Sequence, residues 1–175
     1  MPQGECVFNW RAHFVLLTRV DLVDPSVLQD ILREIRRRAG DLPVASVRFT
    51  PKLLKRHGDV DRPANWLEGK RVFAFCGIGN PSGFWRTLER LGATIVEQRG
   101  FPDHYGYQRE DVEDLERWGA SNTIDAVVMT QKDAVKIPIG SLAGRPLLSL
   151  CIEAEIVSGE ESLLAALDRV APLHR

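Results

Sequence analysis

Short apolar runs alternate along the chain with segments whose apolar side chains recur every three or four positions. The runs at 14–18, 44–49, 72–76, 94–96, 125–130 and 146–156 have the length of strands, and the one at 72–76 (Val72-Phe73-Ala74-Phe75-Cys76) has no polar member, as in a strand buried on both faces. Between them lie helical patterns. Leu28, Ile31, Leu32 and Ile35 form an i, i+3, i+4, i+7 stripe after Asp24-Pro25, and Phe84, Leu88 and Leu91 form one after Asn80-Pro81. Val112 and Leu115 are the inward pair of an acidic helix at 107–118, and 160–170 reads as a last helix with Glu160 and Glu161 in its first turn. Strands alternating with helices at this rhythm predict an α/β fold: three αβα layers around a mostly parallel sheet. From 50 to 66 the pattern fails around Pro51, Gly58, Pro63 and Asn65, which predicts a linker or extended loop there. The expected division is a β-α-β piece at 1–60 and an α/β domain at 66–175, with the option of one compact unit.

The stretch from 71 to 107 is the most informative. After its apolar run, Gly77-Ile78-Gly79 turns the chain, and Asn80 then Pro81 stand in the order that starts a helix. Gly92 sits where a left-handed C-terminal residue belongs. A second strand leads to Phe101-Pro102-Asp103-His104-Tyr105, so a polar pair falls just past a strand end. Sites in open α/β sheets form at the carboxyl ends of strands, which directs attention to Gly77–Asn80 and to Asp103 and His104. Taken alone, Gly-Ile-Gly-Asn-Pro is equally a tight turn with a helix start, and it is no dinucleotide fingerprint, because Ser82 occupies the place of the third glycine. Asp-His alone is likewise compatible with a structural histidine.

Composition changes this picture little. The 175 residues suffice for one good core, and 44% hydrophobic with 27% charged residues is ordinary for a soluble globular protein. A net charge of -1 gives no global argument for nucleic acid, and none is expected as a partner. Between residues 33 and 56, however, eight basic residues face only Glu34 and Asp41. That cluster is either a solvated face or a contact for lipid phosphates and an anionic membrane surface. Cys6, Cys76 and Cys151 are widely spaced and suit buried, inert thiols in a reducing compartment. No apolar run approaches the ~20 residues that span a bilayer, and 1–5 has no signal-peptide character, so a soluble chain is expected. The carboxylates at 111–116 lack a glycine-bearing loop or histidine partner, and no metal site is assigned.

Thr18-Arg19-Val20-Asp21, at the end of the first strand, resembles the TKxD element with which P-loop nucleotide enzymes approach the base, with Arg19 in place of the lysine. An ordinary strand end remains the alternative. Three further motifs carry a more specific resemblance: GIGNPSGFWRTLERLG (77–92), FPDHYGY (101–107) and TQKDAVK (130–136). Together and in this order they resemble the C-terminal half of tetraacyldisaccharide 4'-kinase, a family that phosphorylates a lipid A precursor with ATP.

The resemblance implies that Asp103 and His104 are catalytic, the histidine activating the sugar hydroxyl with an aspartate of the other half. Imidazole suits that work because it titrates near neutrality. It also implies that Thr18, Arg19, Asp21, Lys132 and Asp133 contact the nucleotide, and that Gly77, Gly79 and Asn80 line the substrate. Gln131 departs from the family's usual glutamate, which weakens any charge-dependent role there. The piece at 1–60 would then be the end of a P-loop NTPase-like half.

A kinase of this kind needs a loop that cradles the triphosphate, with a lysine and a hydroxyl for Mg²⁺. GxxxxGK[ST] occurs nowhere in the 175 residues. The expected partners are accordingly the P-loop half of the same protein and the lipid A disaccharide precursor. ATP and Mg²⁺ are expected in the complete enzyme, at the cytoplasmic face of the bacterial inner membrane, with no cofactor tightly held by this chain and no activity of the chain alone. A non-catalytic α/β binding or scaffolding module is the other reading.

Overall fold

The computed structural model describes residues 12–120 and 123–170; Cys6 and the segment 1–5 lie outside them. In chain order the elements are β1 (Val15–Thr18), α1 (Pro25–Ala39), β2 (Val44–Lys55), β3 (Arg62–Pro63), β4 (Arg71–Cys76), α2 (Pro81–Arg90), β5 (Thr94–Gly100), α3 (Arg109–Ala120), β6 (Ala126–Thr130), α4 (Gln131–Ala134), β7 (Ser141–Leu142), β8 (Arg145–Ser158) and α5 (Glu160–Val170). Short 3₁₀ turns occupy Val20–Leu22 and Ala64–Leu67. Contacts group these elements into two compact units, residues 51–152 and the remainder, and the chain passes between them within β2 and within β8.

In the unit 51–152 the strand order β8-β6-β4-β5 is parallel throughout. Alternate side chains of β4 serve opposite faces. Val72, Ala74 and Cys76 pack with Phe84 and Leu88 of α2, while Phe73 and Phe75 pack with Leu115 of α3. This is the three-layer αβα arrangement, and it explains the unbroken apolar run: a strand covered on both faces has no outward position for a polar residue. α2 starts where its caps dictate. Asn80 Oδ1 accepts from the Gly83 amide at 3.1 Å, Pro81 follows, and Gly92 closes the helix at φ 81°.

In the other unit β1 and β2 are parallel, Val15 to Thr18 opposite Val44 to Val47. Asp24 caps α1 by accepting from the Ser26 amide at 2.8 Å. Of the predicted stripe on α1, Ile35 is buried, Leu28 and Leu32 are half-buried, and Ile31 remains 37% exposed.

The loop predicted for 50–66 begins later, because β2 runs on through Pro51 to Lys55. On the β1/β3 side of β2, Pro51 falls between the pairing with β1 at 44–47 and that with β3 at 53–54. β5 likewise extends past 96 to Gly100. It ends the strand order, and an edge strand tolerates Glu97 and Arg99.

Candidate functional site

Three loops leave the carboxyl ends of adjacent parallel strands: 77–80 after β4, 101–108 after β5 and the first turn of α4 after β6. The middle loop is built on aromatic rings. Phe101 and Tyr105 stack at 4.9 Å between centroids, and Tyr107 meets Phe75, Phe101 and Tyr105 edge-on at 5.8, 5.0 and 5.4 Å. The Tyr105 hydroxyl donates to Asp111 Oδ1 at 3.1 Å, and the Lys136 ammonium donates to the Tyr105 carbonyl at 2.7 Å. Between these rings the chain makes a tight turn, the Tyr105 amide donating to the Pro102 carbonyl at 3.1 Å.

His104 occupies the third position of that turn with φ 59°, a left-handed conformation uncommon outside glycine and asparagine. Its side chain is 82% exposed, and its Nε2 lies 3.8 Å from Asp103 Oδ2. Asp103 Oδ1 accepts from the His104 amide at 3.1 Å. The Asp103 carboxylate also borders the first loop, since a Cβ on Gly79 would come 3.3 Å from its Oδ2. Backbone strain of this kind, at a strand end and beside an exposed imidazole, is what a functional turn stores.

Beneath the turn lies Asp133, fully buried. The Gly77 amide donates to both of its oxygens at 3.1 and 3.2 Å, the Tyr107 hydroxyl to Oδ1 at 3.0 Å and the Thr130 hydroxyl to Oδ2 at 2.6 Å. Gly77 is closely surrounded: a Cβ there would lie 3.2 Å from Asp133 Oδ1, from Tyr105 Cβ and from the Tyr107 hydroxyl, so those neighbours would have to give way. Burial, then the Asp133 charge, pushes the Cys76 thiol up to about 12, and the same two causes raise the Tyr107 phenol. Cys76 is thereby an inert thiol, and Cys151 is buried as well.

The structure thus brings Gly77, Gly79, Asn80, Asp103, His104 and Asp133 to one end of one sheet. Lys132 is exposed on the first turn of α4, as is Gln131. Thr18, Arg19 and Asp21 belong to the other unit. There Thr18 ends β1, Arg19 is left-handed at φ 59° with its guanidinium 5.2 Å from the Phe49 ring centroid, and Asp21 is exposed. The residues not singled out from the sequence are Tyr105, Tyr107, Thr130 and Lys136. Their one sequence signal is the Phe-x₃-Tyr-x-Tyr spacing and a threonine three positions before an aspartate.

The triphosphate is poorly matched to these loops. The Gly77 amide is turned onto Asp133 and is not free for a phosphate, while Asn80 Oδ1 accepts from the Gly83 amide and the Ser82 hydroxyl. No three His, Cys, Asp or Glu side chains converge for a metal among the described residues. The basic segment is largely paired: Arg33 with Asp30, Arg37 and Arg38 with Glu34, Arg48 with Glu155, Lys55 with Asp61 and Arg56 with Asp59. Several of those acids lie outside 33–56, so the excess charge of the segment overstates that of the surface. No described helix is long and apolar enough to cross a membrane.

The profile described as "LpxK: Tetraacyldisaccharide-1-P 4'-kinase" matches residues 1–171. The tetraacyldisaccharide 4'-kinase of Anaeromyxobacter dehalogenans (strain 2CP-C) is 34% identical over 159 residues, covering 90% of this chain and 42% of that protein. That of Chelativorans sp. (strain BNC1) is 44% identical over 108 residues, 62% of this chain and 28% of the relative. A crystal structure of "apo" form LpxK from Aquifex aeolicus in complex with ATP superposes with a TM-score of 0.52 at 21% identity, over 90% of this chain and 51% of that one, a likeness of fold. The chain spans about two-fifths of the length of the Anaeromyxobacter relative. It belongs to the tetraacyldisaccharide 4'-kinase (LpxK) family.

Proposed function

We propose that this chain is the C-terminal part of an ATP-dependent kinase that phosphorylates the 4'-hydroxyl of a tetraacyldisaccharide 1-phosphate in lipid A biosynthesis. The observation that carries the reading is the left-handed, exposed His104, held against Asp103 at the strand ends beside Gly79 and Asn80. In this role the imidazole takes the proton of the acceptor hydroxyl, Asp103 orients it, and Gly79 and Asn80 line the sugar. Gly77 shapes the turn. Lys132 and the Thr18-Arg19-Asp21 strand end are the proposed nucleotide contacts of this chain, and Asp133 holds the turn from which Lys132 projects.

ATP supplies the phosphoryl group and Mg²⁺ neutralises its charge, and both belong to the P-loop half of the longer protein. Within this chain the Gly77 amide is held by Asp133 and is not offered to a triphosphate. The chain alone is therefore expected to transfer no phosphate. The complete enzyme works at the cytoplasmic face of the inner membrane, where its lipid substrate is presented.

The test is transfer from labelled ATP to the disaccharide by the complete protein. Replacing His104 with Ala is expected to lower kcat by roughly 10²–10⁴ while leaving the apparent affinity for ATP nearly unchanged. Near-full turnover by that variant would defeat the assignment. That GxxxxGK[ST] does not occur within the 175 residues leaves room for a second reading, a non-catalytic binding module of the same fold. Turnover by this chain when joined to a P-loop half would exclude that reading.

A further inference from the structure

Asp133 is the one charged side chain fully withdrawn from solvent among the described residues. A buried carboxylate is strongly unfavourable unless donors surround it, and an apolar side chain of similar size serves bare stability as well or better. What the carboxylate adds is direction. Its donors come from the ends of three neighbouring strands: the Gly77 amide after β4, the Tyr107 hydroxyl after β5 and the hydroxyl of Thr130, the last residue of β6.

Each attachment leads to the rim of the site in a few bonds. Gly77 is two residues from Gly79, against which Asp103 packs, and three from Asn80. Tyr107 is edge-on to Tyr105, the residue that follows His104 and closes its turn. From the far side of α4, Lys136 holds the carbonyl of that same Tyr105. Neither bond from Gly77 nor that from Tyr107 can move without shifting the distance between the α2 start and the His104 turn.

We propose that Asp133 is a positioning residue whose buried carboxylate sets the spacing between the Asn80 end of α2 and the Asp103–His104 turn. It does not touch the reacting groups, since its oxygens are occupied by protein donors. The proposal rests on the kinase reading for its consequence in catalysis, but not for the positioning itself, and the test separates the two.

In the complete protein, carrying ¹³C-labelled histidine and ¹⁵N-labelled asparagine, Asp133→Asn and Tyr107→Phe are compared with the unaltered protein. Asp133→Asn preserves shape but replaces one acceptor oxygen with a donor facing other donors. Tyr107→Phe keeps the carboxylate and deletes one bond, so it remains informative should the first variant not fold. Both are expected to move the imidazole signal of His104 and the amide signal of Asn80. Both are expected to lower kcat, Asp133→Asn by roughly 10²-fold, the scale of an ångström-sized misplacement. The fall in kcat is expected to exceed any rise in the KM for ATP, as for an interaction that acts mainly in the transition state.

Unshifted His104 and Asn80 signals in both variants, with only the unfolding midpoint lowered, would overturn the proposal and leave Asp133 a stability residue. Shifted signals in a protein whose His104→Ala variant keeps full turnover would uphold positioning and reject the catalytic reading of His104.

Discussion

Tyr107→Phe offers the sharpest measure of the buried network. The substitution removes one hydroxyl and leaves the ring, whose edge-on contacts with Phe75 and Phe101 at 5.8 and 5.0 Å do not involve the oxygen. No cavity larger than the lost atom opens. What changes is the solvation of Asp133 by the protein, which keeps the Gly77 and Thr130 donors and loses the 3.0 Å bond to Oδ1. A hydrogen bond to a charged acceptor contributes about 1.5–3 kcal/mol, and a buried carboxylate has no water to replace it. For a cooperative unit of 150–250 residues each kcal/mol moves Tm by about 2–4 °C, so the expected loss is roughly 3–12 °C. Urea unfolding followed by far-ultraviolet circular dichroism is expected to show a lower midpoint at an unchanged slope. A Tm shift below about 1 °C would mean that Asp133 does not depend on this donor, and the account of the network would fail.

The alkaline limb tests the same site by linkage. Cys76 is raised from 9.0 to about 12 and Tyr107 upward from 10.0, so both keep their protons in the folded state after the unfolded chain has lost them. Their contribution is therefore complete below pH 9, and it is lost as pH rises from 9 toward and beyond 12, by at most about 1.4 kcal/mol per pH unit for each group. Cys76→Ala is expected to flatten the part of this fall that begins at pH 9, which pH-dependent urea titrations would show. His104→Gly should be more stable than His104→Ala by about 1 kcal/mol, because only glycine adopts φ 59° without strain; equal midpoints would deny that the turn is strained. Gly77→Ala should cost about 1–3 kcal/mol and broaden the aromatic signals of Tyr105 and Tyr107, since its Cβ meets three atoms at 3.2 Å. Binding to acidic vesicles is expected to be weak at low salt and abolished at physiological salt, given the pairing of the basic residues; salt-resistant binding would point to an apolar contact instead.

Much of the scaffold was readable without coordinates because its causes are local. A strand covered on both faces shows as the unbroken apolar run of 72–76, and the start and stop of α2 follow from the side-chain chemistry of Asn80, Pro81 and Gly92. The Asp103–His104 turn at a strand end could be located from the same pattern, and the motifs in 77–136 identified the family. Tertiary structure decided the rest. β2 runs on through Pro51, and along it the chain pairs with β1 at 44–47 and with β3 at 53–54, partners that no window of sequence records. In sequence Asp133 is one of three polar residues, Gln131-Lys132-Asp133, after the 125–130 strand, and no local pattern marks it as buried. It is buried because its donors, Gly77 and Tyr107, lie 56 and 26 positions away and reach it only once β4, β5 and β6 stand side by side. Periodicity reports which face of one element is apolar, whereas a hydrogen bond between loops depends on strand order and register, which exist only in the folded chain.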